Sequence, residues 1–315
     1  MPVAHHLPPC PAGCLEYALG LSFAPPSRRL LTHPSPALLL HHHNIVVISI
    51  DGGARELKSL ACEQSPVSDK FDQHNYELMY GLFLLPLRSV RPPPKILEIG
   101  LGCNMRYGAG ASARLWRRIF PEAELWFADV DAACVEKHMH SLREQRIHAL
   151  VGSQANASTL RQWVAQSSGG FHAIIDDGSH FNSHILTTFD ALWPTLRPGG
   201  VYFIEDLQLG RHTAWDDTRG AAVFSDIMQS WVDQKLIGYR DGPHANWFEA
   251  RWDTAFAKNF AAHAANDRAR AARAAHPLPR NVSFIFCQEE ACAIGKEGRH
   301  HRRRAERRCR KGGVG

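Results

Sequence analysis

The feature that most constrains the fold is a regular alternation of short apolar runs and amphipathic segments that begins at Lys95. The apolar runs predict strands at 95–99, 124–129, 147–151, 172–175 and 201–204. The segments between them predict helices at 111–120, 132–143, 158–166 and 183–193. A helix at 221–236 and two closing strands at 282–286 and 291–294 follow. We therefore expect an α/β, Rossmann-like, doubly wound and mostly parallel seven-stranded sheet, with helices on both faces and a C-terminal antiparallel strand pair.

Composition divides the chain into three parts. Residues 1–55 are rich in Pro and His and show no sustained periodicity, which predicts a disordered, low-complexity extension. Residues 56–298 carry the alternating pattern, with an Ala-rich helical insertion predicted at 246–276. Residues 299–315 form a basic tail that we also expect to be disordered, because seven Arg and one Lys stand there against one Glu. The whole chain has a net charge of +5, so the basic excess belongs to this tail and not to the fold.

Membrane and redox signals are weak. No run approaches the ~20 apolar residues that a membrane-spanning helix needs, which favours a cytoplasmic protein. Targeting to an organelle by the basic, acid-poor N-terminal segment stays open. The eight cysteines are too few and too scattered for a disulfide scaffold. The pairs Cys10/Cys14 and Cys287/Cys292 lack a well-placed second pair of zinc ligands, so we expect reduced thiols in an intracellular compartment.

The first candidate site follows the first predicted strand, in the segment Glu98-Ile99-Gly100-Leu101-Gly102. Gly100 and Gly102 allow a sharp turn and a close approach of the backbone to a ligand. Asp129 ends the second predicted strand, where a carboxylate can accept hydrogen bonds from a ribose diol. An NAD site requires a loop that opens directly into a helix, and the loop after Gly102 does not do so. This departure favours a nucleoside ligand without a pyrophosphate.

Acidic residues cluster after the fourth and fifth predicted strands. Asp176, Asp177 and His180 follow one strand, and Glu205 and Asp206 follow its neighbour. Adjacent strands lie about 4.8 Å apart, so these carboxylates crowd one another. A divalent cation such as Mg²⁺ would relieve that crowding, and His180 would then act as a base on a hydroxyl group. The alternative is that these acids are helix caps and solvated loop charges.

With these motifs in place, the sequence resembles class I S-adenosylmethionine-dependent methyltransferases, specifically macrolide-sugar O-methyltransferases of the macrocin and mycinamicin type. The resemblance covers roughly residues 65–298, and its most specific part is the pair IIDDGSH and GGVYFIEDL. The shared pattern comprises Ser68-Asp69-Lys70, His74, Tyr76, Tyr80, LEIGLG (97–102), residues 110–116 before Phe120-Pro121, Asp129, Gly152 with Gln154, IIDDGSH (174–180) and LRPGGVYFIEDL (196–207).

The resemblance implies a role for each matching residue. It places S-adenosylmethionine on Glu98, Gly100, Gly102 and Asp129, with Gln154 near the adenine and Asp176 toward the amino-acid end of the cofactor. It places a divalent metal, Mg²⁺, on Asp177, Glu205 and Asp206, with His180 as the general base. The implied reaction is methylation of a hydroxyl group on a small molecule or glycoside. The oligomeric state stays open.

Two departures and two rival functions stand beside this interpretation. Ser153 occupies a position that is usually acidic in the family, and the sequence after Asp206 lacks the aromatic loop common in relatives. One rival is a binding scaffold with a methyltransferase-like fold and no catalysis. The other is an RNA-directed methyltransferase that uses the basic tail, because Arg-rich segments bind phosphates. The slightly acidic remainder of the chain argues against nucleic acid as a partner.

Overall fold

The computed structural model describes Asp51 and residues 53–237 and 275–298, and its centre is one seven-stranded sheet. The strands are β1 (Lys95–Ile99), β2 (Glu124–Asp129), β3 (Ile147–Val151), β4 (Phe171–Asp176), β5 (Leu196–Ile204), β6 (Val282–Cys287) and β7 (Cys292–Lys296). Their order is β3-β2-β1-β4-β5-β7-β6. The first five strands are parallel, whereas β7 pairs antiparallel with both β5 and β6. The predicted fold class is confirmed.

Helices cover the sheet and connect its strands. They are α1 (Ala54–Cys62), α2 (Asp69–Asp72), α3 (Glu77–Phe83), α4 (Ala111–Ile119), α5 (Ala132–Glu144), α6 (Ala157–Ser167), α7 (Asn182–Leu192) and α8 (Phe224–Ile237). Short 3₁₀ turns lie at Leu85–Ser89, Trp193–Thr195 and Leu209–Arg211. Asp131 and Asn156 cap α5 and α6, since their side chains accept hydrogen bonds from Cys134 N and Ser158 N.

The sheet separates two hydrophobic cores, as strand alternation requires. Ile96, Phe127 and Ile175 point to a core that includes residues of α1 to α5. Leu97 and Ile174 point to a second core that includes residues of α6, α7 and α8. Because both faces are covered, the parallel strands read as continuous apolar runs, and this is why they were predictable.

Three parts of the structure differ from the sequence-based expectation. The helices α1, α2 and α3 were not predicted. The strand β5 begins at Leu196, not at residue 201, with an irregular register opposite β4. The thiols are not all reduced, because Cys103 is bonded to Cys134 and Cys287 to Cys292. The packing of the β1 loop against α5 brings Cys103 to Cys134, and the β6–β7 hairpin brings Cys287 to Cys292. Cysteine spacing alone does not reveal either contact.

Several predictions fall outside the described residues: nearly all of the 1–55 extension, the 246–276 insertion up to residue 274, and the 299–315 tail. Within the described part of the chain, no helix combines the length and the apolar character that a membrane span requires.

Candidate active site

A cleft of about 810 Å³ opens at the carboxyl ends of β1, β2 and β4. Its walls are the loops that follow these strands, joined by the segment that contains Asp206, Leu209 and Trp215. The strand order changes direction between β1 and β4: β2 and β3 lie on one side of β1, and β4 and β5 lie on the other. Open α/β sheets bind ligands at such a switch point.

The glycine-rich loop brings β1 and β4 together at the floor of the cleft. Gly100 has a φ of +103°, and a Cβ atom there would lie 2.0 Å from the backbone oxygen of Asp177. Only glycine fits that contact. Gly102, with a φ of +78°, also lines the cleft. The structure thus places both predicted glycines on the cleft wall.

Asp129 is held in place by backbone amides. Its Oδ2 accepts a hydrogen bond from Leu101 N at 2.9 Å, and its Oδ1 accepts one from Asp131 N at 2.9 Å. The carboxylate lines the cleft, and each oxygen keeps a free lone pair for a ligand hydroxyl. Asp131 lines the same cleft, but its Oδ1 caps α5 through Cys134 N, so the two neighbouring acids have different partners.

Gln154 connects the loop after β3 to the loop after β4. Its Oε1 accepts a hydrogen bond from Ser179 N at 2.8 Å, and its Nε2 donates to Asp176 Oδ1 at 2.9 Å. Gln154 lines the cleft, whereas Asp176 is 2% exposed and is not among the described lining residues. Burial raises the pKa of Asp176 to about 6, against hydrogen bonds from Gln154 and Tyr202. Asp176 therefore lies behind the cleft wall, whereas the resemblance predicted that it faces the amino-acid end of the cofactor.

Glu98 also differs from the expectation of direct contact with the cofactor. It is 1% exposed and is not among the described residues that line the cleft. Its Oε1 accepts a hydrogen bond from Ser112 Oγ at 2.6 Å, and its Oε2 accepts one from Trp116 Nε1. Burial raises the pKa of Glu98, although Lys70, at 3.5 Å, lowers it. In this arrangement Glu98 lies behind the cleft wall and binds two side chains of α4, Ser112 and Trp116.

A buried lysine, Lys70, lies among the crowded carboxyl groups that the sequence predicted. Lys70 is 1% exposed; its Nζ contacts Asp177 Oδ2 and lies 2.8 Å from Glu205 Oε2. Burial lowers the pKa of Lys70, but Asp177, Glu205 and Glu98 outweigh it and hold that pKa well above its usual value. One ammonium thus faces three carboxyl groups. Burial raises the pKa of Asp177 against the charge of Lys70, and burial together with the nearby Asp177 raises the pKa of Glu205.

Asp177, His180 and Asp206 come together at the mouth of this charged cluster. Their ligand atoms lie within 4.8 Å of one another, with His180 Nε2 3.9 Å from Asp177 Oδ1 and 3.8 Å from Asp206 Oδ2. His180 and Asp206 both adopt a left-handed backbone, with φ of 60° and 54°. Such strain in non-glycine residues is concentrated at functional sites. Tyr76 OH donates to Asp206 Oδ1 at 2.6 Å.

Glu205, predicted as a third metal ligand, is turned away from this group. Its Oε1 accepts a hydrogen bond from Tyr80 OH and its Oε2 faces Lys70. Glu205 directly follows β5, which ends at Ile204, whereas Asp206 has already turned into a left-handed backbone with a φ of 54°. The two carboxylates whose oxygens lie close enough to share a cation here are Asp177 and Asp206, and Glu205 stays a predicted third ligand. Two carboxylates within reach of one another are oxygen donors of the kind that Mg²⁺ prefers.

Sequence reasoning assigned no role to two residues beside Asp206. His74 Nδ1 lies 2.6 Å from Glu290 Oε2, and His74 Nε2 lies 3.7 Å from Asp206 Oδ1. Burial lowers the pKa of His74, but Glu290 and Asp206 raise it overall. Glu290 lies in the turn between β6 and β7, far from the motif in sequence, and carries no local signal.

Comparisons with known proteins agree with this geometry. The chain is 35% identical over 163 residues to the 8-demethyl-8-alpha-L-rhamnosyl tetracenomycin-C 2'-O-methyltransferase of Streptomyces olivaceus, covering 50% of this chain and 41% of that protein. It is 33% identical over 198 residues to the L-olivosyl-oleandolide 3-O-methyltransferase of Streptomyces antibioticus, covering 62% and 48%. The chain thus spans less than half the length of these curated relatives. No protein-family model matches it.

Among solved structures, the fold is similar to that of the MycE methyltransferase. The complex of MycE with Mg, SAH and mycinamycin VI gives a TM-score of 0.54 at 23% identity, covering 82% of this chain and 56% of MycE. A complex with Mg and SAH gives a TM-score of 0.56 at 23% identity, covering 77% and 54%. The predicted resemblance is confirmed: this chain has the Rossmann-like fold of MycE and is a sequence relative of sugar O-methyltransferases.

Proposed function

We propose that the chain transfers a methyl group from S-adenosylmethionine to a hydroxyl group of a glycoside, with the help of a divalent cation. The observation that carries the proposal is the junction of two sites in one cleft. Gly100, Gly102 and Asp129 form a nucleoside-binding wall, and Asp177, His180 and Asp206 form an acid–base group beside it. The names of the relatives point to sugar hydroxyls as the acceptors.

The cofactor-binding part of the proposal follows from Asp129 and the glycine-rich loop. Asp129 would accept hydrogen bonds from the ribose hydroxyls, with its orientation fixed by Leu101 N and Asp131 N. S-adenosylmethionine supplies an electrophilic methyl group on a sulfonium. The absence of side chains at Gly100 and Gly102 lets that part of the ligand approach the ends of β1 and β4.

The chemical part assigns the proton to His180. A divalent cation held by Asp177 and Asp206 would supply positive charge that favours the deprotonated acceptor. His180 lies between both carboxylates and takes the hydroxyl proton as the acceptor oxygen attacks the methyl carbon. The carbon–oxygen bond forms while the carbon–sulfur bond breaks, and S-adenosylhomocysteine leaves with the bonding electron pair. Most of the rate gain comes from alignment and charge stabilisation.

Isothermal titration of S-adenosylhomocysteine into the purified chain, with and without Mg²⁺, tests the proposal. We expect micromolar binding, followed by methylation of a rhamnoside or a related deoxysugar glycoside in an acceptor screen with labelled cofactor. Demonstrably folded protein that binds no S-adenosylhomocysteine in either condition would contradict the proposal and favour the scaffold alternative. Ser153, whose Oγ accepts a hydrogen bond from Ala155 N at 3.2 Å, would then be the first residue to replace with an acid.

A further inference from the structure

The cleft has an apolar wall beside the acid–base group. Phe181, Leu209 and Trp215 all line the cleft and together form this wall. Phe181 directly follows His180 in the chain, and Leu209 lies three residues after Asp206. Because two of its three side chains are sequence neighbours of the acid–base group, the apolar wall lies where the acceptor of the methyl group has to bind.

Trp215 differs from the other tryptophans of the described chain in what its indole N–H contacts. Five indole N–H groups donate a hydrogen bond to a side chain or backbone oxygen, those of Trp116, Trp126, Trp163, Trp193 and Trp231. Among the described residues the indole N–H of Trp215 has no such acceptor. The side chain is half-buried, and its ring meets only the edge of His212, at 5.4 Å between centroids, within the part of the chain that the structure describes. A tryptophan in a cleft usually finds a partner for that group, so its donor is available to a ligand.

The segment that carries Trp215 is tied at both ends to the start of α7. Asn182 is 4% exposed; its Nδ2 donates to Gly210 O at 2.8 Å, and its Oδ1 accepts a hydrogen bond from Phe224 N at 2.8 Å. A Cβ atom on Gly210 would lie 2.6 Å from Asn182 Oδ1, so glycine permits this close docking. One buried amide therefore fixes the chain on either side of Trp215.

Asp217 adds a second anchor, two residues beyond Trp215. Its Oδ1 accepts a hydrogen bond from Ser183 N at 3.2 Å, and its Oδ2 accepts one from Ser183 Oγ. Trp215 is thus held at the cleft by contacts that need no ligand. A binding group that is already in place loses little conformational entropy when the ligand arrives, which favours a role in recognition.

We propose that Trp215 is a specificity-determining residue that binds the acceptor sugar: its ring stacks on the C–H face of the pyranose, and its N–H donates a hydrogen bond to an oxygen of that sugar. This inference rests on the proposed function and adds the residue that holds the acceptor. A pyranoside has an apolar face of C–H groups and an edge of hydroxyl groups. The apolar wall fits the face, and Asp177, His180 and Asp206 fit the edge, so stacking on Trp215 turns a hydroxyl toward His180.

The first test separates binding of the acceptor from binding of the cofactor. Trp215→Ala should raise the KM for 4-nitrophenyl α-L-rhamnopyranoside about tenfold or more, with a smaller change in kcat, because the stacked ring binds the sugar before and during methyl transfer. The Kd of S-adenosylhomocysteine should stay within about twofold of the native value. Trp215→Phe keeps a ring and loses the donor, so its KM should lie between the two. Trp126→Phe is the matched control, because the indole of Trp126 bonds to Glu124 and is not among the described residues that line the cleft.

The second test detects binding without turnover. Fluorine NMR of the full chain labelled with 5-fluorotryptophan gives a resonance for each of the eight tryptophans. The resonance that is missing from Trp215→Phe belongs to Trp215, and Trp126→Phe identifies that of Trp126 in the same way. Adding the rhamnoside to the native chain, saturated with S-adenosylhomocysteine and Mg²⁺, should shift the Trp215 resonance and leave the Trp126 resonance in place.

The outcomes separate this inference from the function on which it rests. A Trp215 resonance that does not move during the titration, or a native KM in folded Trp215→Ala, would overturn the role of Trp215 while the proposed methyl transfer stands. A chain that binds no S-adenosylhomocysteine would contradict the proposed function whatever Trp215 does. If Trp215→Ala does not fold, the fluorine titration decides by itself, because it is carried out on the native chain.

Discussion

Two parts of the same sheet edge, the carboxyl end of β2 and those of β4 and β5, hold their carboxylates by different means. At the end of β2, Asp129 is fixed by two neutral backbone amides and stays accessible to the cleft. At the ends of β4 and β5, Asp177 and Glu205 are fixed by the charge of a buried lysine. The first arrangement costs little desolvation, because the carboxylate remains partly hydrated. The second requires close pairing of each charge, since an unpaired buried charge is strongly destabilising.

The difference shows how one cleft can combine binding and chemistry. Amide dipoles orient Asp129 without changing the net charge, which suits recognition of a ribose. The charged cluster places carboxyl groups near His180, which suits a cation and a proton transfer. We therefore expect changes at β2 to alter affinity for the nucleoside and changes at β4 and β5 to alter turnover.

The largest effect is expected from His180→Ala. Loss of the general base should reduce kcat by about 10²- to 10⁴-fold, while S-adenosylhomocysteine binding changes little. Steady-state kinetics with a glycoside acceptor and calorimetry on the same sample measure both quantities. His140→Ala, an exposed position on α5, is the control. If cofactor binding is lost together with turnover, His180 contributes to binding the cofactor and is not simply the general base.

Gly100→Ala should damage both the nucleoside wall and the acid–base group, because its Cβ would meet the backbone of Asp177. Left-handed strain and backbone overlap together should lower the free energy of unfolding by about 2–4 kcal/mol. Gly108→Ala separates the two causes, since its φ is +92° but nothing lies within 4 Å of the added Cβ. We expect about 1–2 kcal/mol there, from strain alone. Equal losses in urea unfolding would refute the close contact.

Asp176→Asn tests how much stability the folded protein loses by burying a carboxylate that has no lysine or arginine partner among the described residues. The pKa of Asp176 is raised to about 6 in the folded protein, above its value near 3.9 in an unfolded chain. The folded state therefore loses stability as pH rises from 4 through 6, and the cost is fully present above pH 6. Asparagine removes that cost, so relative to the native chain the variant should gain about 1–3 kcal/mol of stability as the pH rises from 4 to 7. A difference in unfolding free energy that does not change with pH would contradict this.

The smallest effect is expected at β2. Asp129→Ala should weaken S-adenosylhomocysteine binding about tenfold, or 1.4 kcal/mol, and leave the Mg²⁺ affinity unchanged. Asp131→Ala removes a cap from α5 and should lower stability by about 1 kcal/mol, while weakening nucleoside binding less than Asp129→Ala does. Should both variants bind the nucleoside equally well, Asp129 would be a structural acid like its neighbour.

Local pattern predicted the parallel part of the sheet closely. The strands β1, β2 and β3 have the predicted bounds, because buried parallel strands are short apolar runs between polar loops. The start of β5 was missed since Arg197-Pro198-Gly199-Gly200 reads as a turn. In the structure Leu196 pairs with Phe171 of β4, and residues 197–200 form an irregularity before pairing resumes at Val201. The helices α1 to α3 lie ahead of the alternating pattern that guided the prediction.

The candidate site was predictable in its components and not in its contacts. Lys70 was part of the recognised pattern, but a lysine in a polar segment gives no sign of burial. A signal did exist: Glu98, Asp177 and Glu205 have the same strand parity, so three acids on one covered face require a cationic partner. Glu290 had no such signal, because its approach to His74 depends on the C-terminal hairpin pairing with β5 at the edge of the parallel strands.

That hairpin has a consequence for the order in which the protein matures. Leu207 N donates to Glu290 O at 2.8 Å, so the turn between β6 and β7 braces the segment that carries Asp206. On a ribosome, β1 to β5 emerge well before this turn. We expect a nascent chain, or one clipped before residue 282, to assemble the nucleoside wall first and to leave the acid–base group without its brace. The capacity to hold the methyl donor would then arise earlier in the life of the chain than the capacity to use it.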